Sequence, residues 1–207
     1  MSRVDSRVDD VAAAFVETLG PMTTMKLQKL VYYAQAWYAA AELGVLFGDE
    51  VEAWSNGPVV HRLYSQHRNA FIVSSWPGGS AASLGPDARR IVADVAARYG
   101  EFSGDELSAM THIETPWQQA RAGLQEGAWS RRPIPLATMA SYYRGQVLSP
   151  AEAVRHARAN AALEGHTVSA KDAEVLLRIA DGTVDADQAV AAYVASHTRA
   201  ASPTWVG

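Results

Sequence analysis

With 207 residues, 48% apolar and 19% charged, and a formal net charge of −4, the chain has the composition of a soluble globular protein of one or two domains. The absence of cysteine excludes disulfides, thiolate nucleophiles and cysteine-based zinc sites. The acidic balance, with no basic run longer than "SRRP" at 130–133, argues against nucleic acid as a primary partner. No apolar run approaches the ~20 residues that cross a bilayer and "MSRVDSRVDD" has no apolar leader core, so a cytoplasmic protein without a membrane partner is expected.

The first clear element is "TTMKLQKLVYYAQAWYAAAELG", in which Leu27, Leu30, Val31, Ala34, Tyr38 and Ala41 follow helical spacing and Gly44 supplies the stop. The alternation "VEAW" and the turn Asn56-Gly57 indicate a short strand or hairpin near 51–57. Pro58 then reads as the first-turn residue of a helix carrying Val59, Val60, Leu63 and Tyr64. The Ser/Gly/Pro cluster at 74–86 reads as a surface loop, and "DARRIVADVAARYG" as a helix through Ile91, Val92, Val95 and Tyr99. "SGDELSAM" opens a helix with a capping box, Ser103 at the N-cap and Glu106 at the third helical position. "TPWQQAR" reads the same way, with Thr115 as cap, Pro116 in the first turn and Gln118 at the third position.

From "LSPAEAV" onward bulky aromatics nearly vanish and alanine dominates. Ser149 with Glu152, Ser169 with Asp172, and Asp185 with Gln188 mark three successive helix starts. The expected fold is mainly α: a multi-helix domain over 1–146 and a small three-helix domain over 147–207, which at that size leans on the first domain or on a partner.

A search for catalytic chemistry finds no GxxxxGK[ST], GxSxG or HExxH. The six histidines, at 61, 67, 112, 156, 166 and 197, contain no i,i+4 pair, so no metal site and no cofactor is expected. His112 and Glu114 in "THIETPW" are the best acid/base candidates, an imidazole and a carboxylate two residues apart beside Trp117. The stronger reading is structural, polar side chains satisfying free backbone groups in a turn before a capped helix. "LVYYAQAWY" has the aromatics for base stacking but no cations beyond Lys26 and Lys29 at its start, which favours core packing.

"KLQKLVYYAQAWYAA", "LFGDEVEAWSNGPVVHRLYSQHR", "LSAMTHIETPWQQAR" and "IPLATMASYYRG" occur in the order and at about the spacing of the Panacea domain, which the chain resembles over approximately residues 8–146. The resemblance implies a mainly helical antitoxin domain of bacteria and phages, without catalytic activity, that neutralises a neighbouring toxin by direct contact. Its motif positions here, Lys26, Gln28, Tyr33, Trp54, Gly57, Pro58, His112, Glu114, Pro116 and Trp117, are expected to be structural. Partners within the family are diverse, and at least one member is an adaptor that delivers its toxin to a protease. The resemblance therefore leaves open an antitoxin for another kind of toxin or a proteolytic adaptor.

The tail, "SPAEAVRHARANAALEGHTVSAKDAEVLLRIADGTVDADQAVAAYVA", is similar to the three-helix antitoxins of the VbhA type, which inhibit Fic-domain AMP-transferases. Their motif, S/T-x-x-x-E-G/N, aligns with Asn160, Glu164 and Gly165, an amide standing in place of the usual hydroxyl. On a helix, Ala153, Ala157, Asn160, Ala161 and Glu164 fall on one side, with Glu152, Arg155 and Arg158 elsewhere. The open alternative is that this alanine face packs on the neighbouring helices. A glutamate in a helix's last turn opposes the helix dipole, which suits a carboxylate whose counter-charge lies on another protein. The resemblance implies that Glu164 pairs with the toxin arginine that holds the ATP γ-phosphate, and that Gly165 leaves room for the approach. A DNA-binding autorepressor finds little support in an acidic chain without a basic recognition helix.

Overall fold

A computed structural model describes residues 4–146, 167–180, 183–185 and 188–191. The chain divides into two units, Met1–Gln146 and Val147–Gly207. The first unit runs α1 (Val8–Leu19), β1 (Met22–Thr23), α2 (Thr24–Ala40), β2 (Val51–Trp54), β3 (Gly57–Val60), α3 (His61–His67), β4 (Ile72–Val73), α4 (Pro86–Tyr99), α5 (Gly104–Ile113), α6 (Thr115–Ala120) and α7 (Leu136–Arg144). The fold is mainly α, as the sequence indicates.

Helix α2 is the centre of the unit. Every residue from Leu27 to Ala36 is buried, because α1, α3, α4, α5, α7 and β3 all pack against it. A helix enclosed on all sides carries apolar residues around its whole circumference, which explains the aromatic density of "LVYYAQAWY". It starts where the Thr23 hydroxyl accepts from the Lys26 amide at 3.2 Å. It ends at Ala40, earlier than the expected stop at Gly44. The terminator is Glu42, whose φ of 60° is left-handed. Glu42 N–H donates to Ala39 O and Leu43 N–H to Tyr38 O, the pair of bonds of a Schellman motif, in which glutamate takes the place usually given to glycine. Past it, the Gln35 side chain accepts from Leu46 and Phe47 N–H and donates to Phe47 O, pinning the loop against the core.

The expected hairpin forms, but its register corrects two details. Trp54 pairs with Gly57 and Ala53 with Pro58, so the two-residue loop is Ser55-Asn56 and Pro58 lies in a strand, not in the first turn of a helix. Ala53 N–H donates to Arg132 O, away from β3. Pro58, opposite Ala53, therefore has no ladder bond to supply, and a proline is tolerated there. Helix α3 begins only at His61.

The 74–86 segment is irregular with one 3-10 turn at Ala81–Ser83, and it buries Trp76 and Leu84. The capping box of α5 is present, Ser103 and Glu106 bonding each other's backbone N–H. At α6 the expected cap is displaced by one residue: Glu114 is the N-cap, Thr115 is already helical, and no side chain caps the end. The Glu114 carboxylate is engaged elsewhere, and the Gln118 amide donates back to His112 O. Beyond the hairpin a second pairing, β1 with β4, joins Met22 to Val73 and Thr23 to Ile72.

In the second unit α8 (Ala170–Ala180) begins at a reciprocal Ser169–Asp172 cap, and Gln188 N–H donates to Asp185, at two of the three expected helix starts. Ala153, Ala157, Asn160, Ala161, Glu164, Gly165 and the Ser149 start lie outside the described residues. Among the described residues no helix is long and apolar enough to cross a membrane.

Candidate functional site

Two polar constructions hang from α2, and most of the singled-out residues belong to one or the other. The first holds the β2–β3 hairpin. Ladder pairing leaves the Val60 N–H and C=O pointing toward α2, where the Gln28 amide accepts from the one at 2.8 Å and donates to the other at 3.3 Å. Gln28 also stands 2.9 Å from the His67 ring. One residue further on, Lys29 donates to Pro58 O at 3.2 Å. The hairpin tip is fixed by the Ser108 hydroxyl on Asn56 O, and its far side by Trp117 Nε1 on Trp54 O and by Arg121 on Ala53 O. The Trp54 indole N–H and the Arg131 guanidinium both donate to the buried Glu52 carboxylate, Arg131 through two nitrogens.

Gly57 is required by this geometry. Its φ of 94° is left-handed, and an added Cβ would stand 2.7 Å from Lys29 Cε and 2.8 Å from Thr111 Oγ1. His112 stacks on Trp117 with ring centres 4.2 Å apart. Burial, and then the Lys29 and Arg121 cations, hold its imidazole below the usual histidine range, so it is neutral at pH 7.

Lys29 is 1% exposed. Its ammonium has three donors, and Pro58 O is its one acceptor among the described residues; no carboxylate lies within 4.0 Å. Desolvation lowers its pKa to about 7. Lys29 forms part of the wall of a cleft of about 280 Å³ between α2, the hairpin and α3, together with Trp54, Asn56, Val59, Tyr64 and Arg68.

The second construction is a buried tyrosine cluster. Tyr143 donates to Glu114 at 2.5 Å and Tyr33 does so at 3.3 Å. Tyr33 stacks on Tyr99 with ring centres 4.1 Å apart, and Tyr143 meets Tyr32 and Tyr33 edge-on. Burial raises the Glu114 carboxyl to about 7 against the lowering effect of its two tyrosine donors; burial first, then Glu114, pushes Tyr33 far up, and burial first, then Tyr32 and Glu114, does the same to Tyr143.

His112 and Glu114, adjacent in the acid/base hypothesis, thus face different surroundings, the ring against Trp117 and the carboxylate among tyrosines. Gln28, Trp54, Gly57, Pro58, His112 and Trp117 gather at the hairpin, and Tyr33 and Glu114 in the cluster. Lys26 instead donates at 2.5 Å to Gly100 O at the C-terminal end of α4, where a cation suits the helix dipole. Pro116 is buried in the first turn of α6. The sequence marks Lys29 only as a cation at the start of an aromatic helix and does not reveal its burial. The available signal was its position inside "KLQKLVYY", one turn before Tyr33 in a stretch apolar on every side. Tyr143 and the buried Asp9 were also missed. Among the described residues no group of three or more His, Asp or Glu is placed to hold a metal.

Residues 27–118 match the family described as "Antitoxin SocA-like, Panacea domain", a span that runs from the buried face of α2 through the hairpin to α6. The match supports an antitoxin role with a toxin as partner. No curated protein and no solved structure matches the chain.

Proposed function

We propose that this protein is an antitoxin that neutralises a cognate Fic-type AMP-transferase by direct binding. The observation that carries the antitoxin assignment is the Panacea match at residues 27–118. The partner class comes from the tail, where Asn160, Glu164 and Gly165 occupy the positions of the Fic-inhibiting motif. Glu164 pairs with the toxin's γ-phosphate arginine and displaces ATP from in-line geometry, and since phosphoryl and nucleotidyl chemistry depends on positioning, loss of one clamp suffices. The alanines at 153, 157 and 161 allow close approach of the two backbones.

A neighbouring reading frame with the signature H-x-F-x-D/E-G-N-G-R identifies the partner for the experiment. Co-expression with Glu164→Ala should release AMP transfer while the complex still co-purifies. Full inhibition by that variant removes Glu164 from the mechanism and leaves direct binding intact. A toxin half-life shortened by the wild-type chain would instead favour delivery to a protease.

A further inference from the structure

We infer that the cleft between α2, the β2–β3 hairpin and α3 is a carboxylate-binding site that receives a glutamate or aspartate side chain of the partner polypeptide, with the Lys29 ammonium as its anchor. The inference rests on the reading that the protein acts by binding another polypeptide.

Three observations converge. Lys29 is a buried cation with a single acceptor among the described residues, which leaves two of its N–H donors without one. A buried ammonium without a counter-ion is costly, and a carboxylate arriving there forms a charge-assisted bond in a shielded setting. The cleft wall is also of one sign: it contains Lys29 and the exposed Arg68 and no aspartate or glutamate, in a chain whose net charge is −4. Finally, the wall around Lys29 is shaped for a side chain on a peptide. Trp54, Val59 and Tyr64 supply apolar and aromatic surface, Asn56 and Ser55 supply polar groups at the hairpin loop, and Phe71, 77% exposed, follows the rim residue Ala70. Apolar and aromatic surface with a few convergent polar groups and charge of one sign is the composition of a specific recognition pocket. Gly57 belongs to the same device, since any side chain there would press on the Lys29 ammonium.

The probe is a capped pentapeptide, acetyl-Ala-Leu-Glu-Leu-Ala-amide, titrated into the full-length protein with the Trp54 indole N–H followed by NMR, beside the glutamine counterpart and sodium acetate. The glutamate peptide should give saturable shifts and bind about tenfold more tightly than the glutamine peptide. That preference should vanish in Lys29→Met, whose fold is verified by its thermal transition. No saturable response, equal binding of the two peptides, or a preference that survives Lys29→Met overturns the site. Acetate binding as tightly as the peptide overturns the polypeptide occupant in favour of a free carboxylate. Co-purification of wild-type chain with its toxin is scored separately, so a failed site and a failed antitoxin assignment give different results.

Discussion

Tyr143 on α7 donates a 2.5 Å hydrogen bond to Glu114 at the start of α6, and Tyr33 of α2 donates to the same carboxylate. This one buried group ties together three helices. Its pKa near 7, against 4.5 for an ordinary glutamate, makes the fold pH-dependent. A carboxyl raised on folding contributes stability that is fully present below the unfolded value and is lost as pH rises through the folded one. Between about pH 4.5 and 7 the wild type therefore loses up to roughly 3 kcal/mol that Glu114→Gln retains. Urea unfolding of both proteins at pH 5 and pH 8 checks this: the glutamine variant should gain on the wild type at the higher pH. A pH-independent difference would refute it.

Lys29 gives the opposite slope. A lysine depressed from 10.5 to about 7 is penalised fully below pH 7 and relieved as pH rises toward the unfolded value. Lys29→Met should therefore be more stable than wild type at pH 6, by about 1–3 kcal/mol, with the advantage fading toward pH 10. Thermal unfolding across that range measures it. Together Glu114 and Lys29 place a local minimum in the stability of the wild type near neutral pH, which the double variant should lack.

Asp9, 1% exposed, accepts from Arg62 at 3.0 Å, Gln66 at 2.8 Å and Trp76 at 3.1 Å, joining α1 to α3 and to the 74–86 segment. Burial raises its pKa, but these donors outweigh burial and hold the carboxyl below its ordinary value. The stability it supplies is present above pH 3.8 and is lost as pH falls through the folded value. Asp9→Ala should cost about 1–3 kcal/mol at pH 7, because it leaves the buried Trp76 indole N–H without its acceptor and removes the bonds to the solvent-reaching Arg62 and Gln66. Gly79 packs its backbone on the Asp9 carbonyl, with no space for a Cβ, so Gly79→Ala should fail in the same region. Chemical denaturation quantifies both; a loss under about 1 kcal/mol for Asp9→Ala would contradict the network's role.

Glu42 is the site of a stabilising change. It holds a left-handed φ of 60°, and its ion pair to Arg144 at 3.2 Å is solvent-exposed on both sides and contributes little. Glu42→Gly should stabilise the protein by about 0.5–1 kcal/mol by relieving the Cβ clash. A drop in denaturation midpoint would show that the ion pair outweighs the strain.

Helices α2, α4 and α5 were legible because their signals are local: the apolar spacing of α2 and α4 and the Ser103–Glu106 box of α5, while Pro86, read as the end of the loop, is the first residue of α4. The errors arose where tertiary bonding overrode a local rule. Pro58 satisfies a helix-start pattern equally well as a strand residue, and only the Ala53 bond to Arg132 decides between them. Thr115 looks like a cap, but the Glu114 backbone takes that position while its side chain serves tyrosines from distant helices. Helices α1 and α7 escaped assignment by periodicity, α1 because the buried Asp9 and Asp10 interrupt its apolar pattern. A two-residue pairing such as β1–β4 has no period to read. The hairpin site was visible as motif residues yet not as an assembly, since Lys29 becomes unusual only once Gly57 and Pro58 are folded onto it.

The enclosure of α2 has a consequence for how the first unit opens. Amide hydrogens from Leu30 to Ala36 have no route to solvent short of dismantling the surrounding helices, so they should exchange only through global unfolding. The short α3 and α6, one buried face each, should exchange orders of magnitude sooner. Deuterium uptake would then divide this unit into an outer shell that breathes and an axle that lets go last, with Lys29 and Tyr33 riding on the axle.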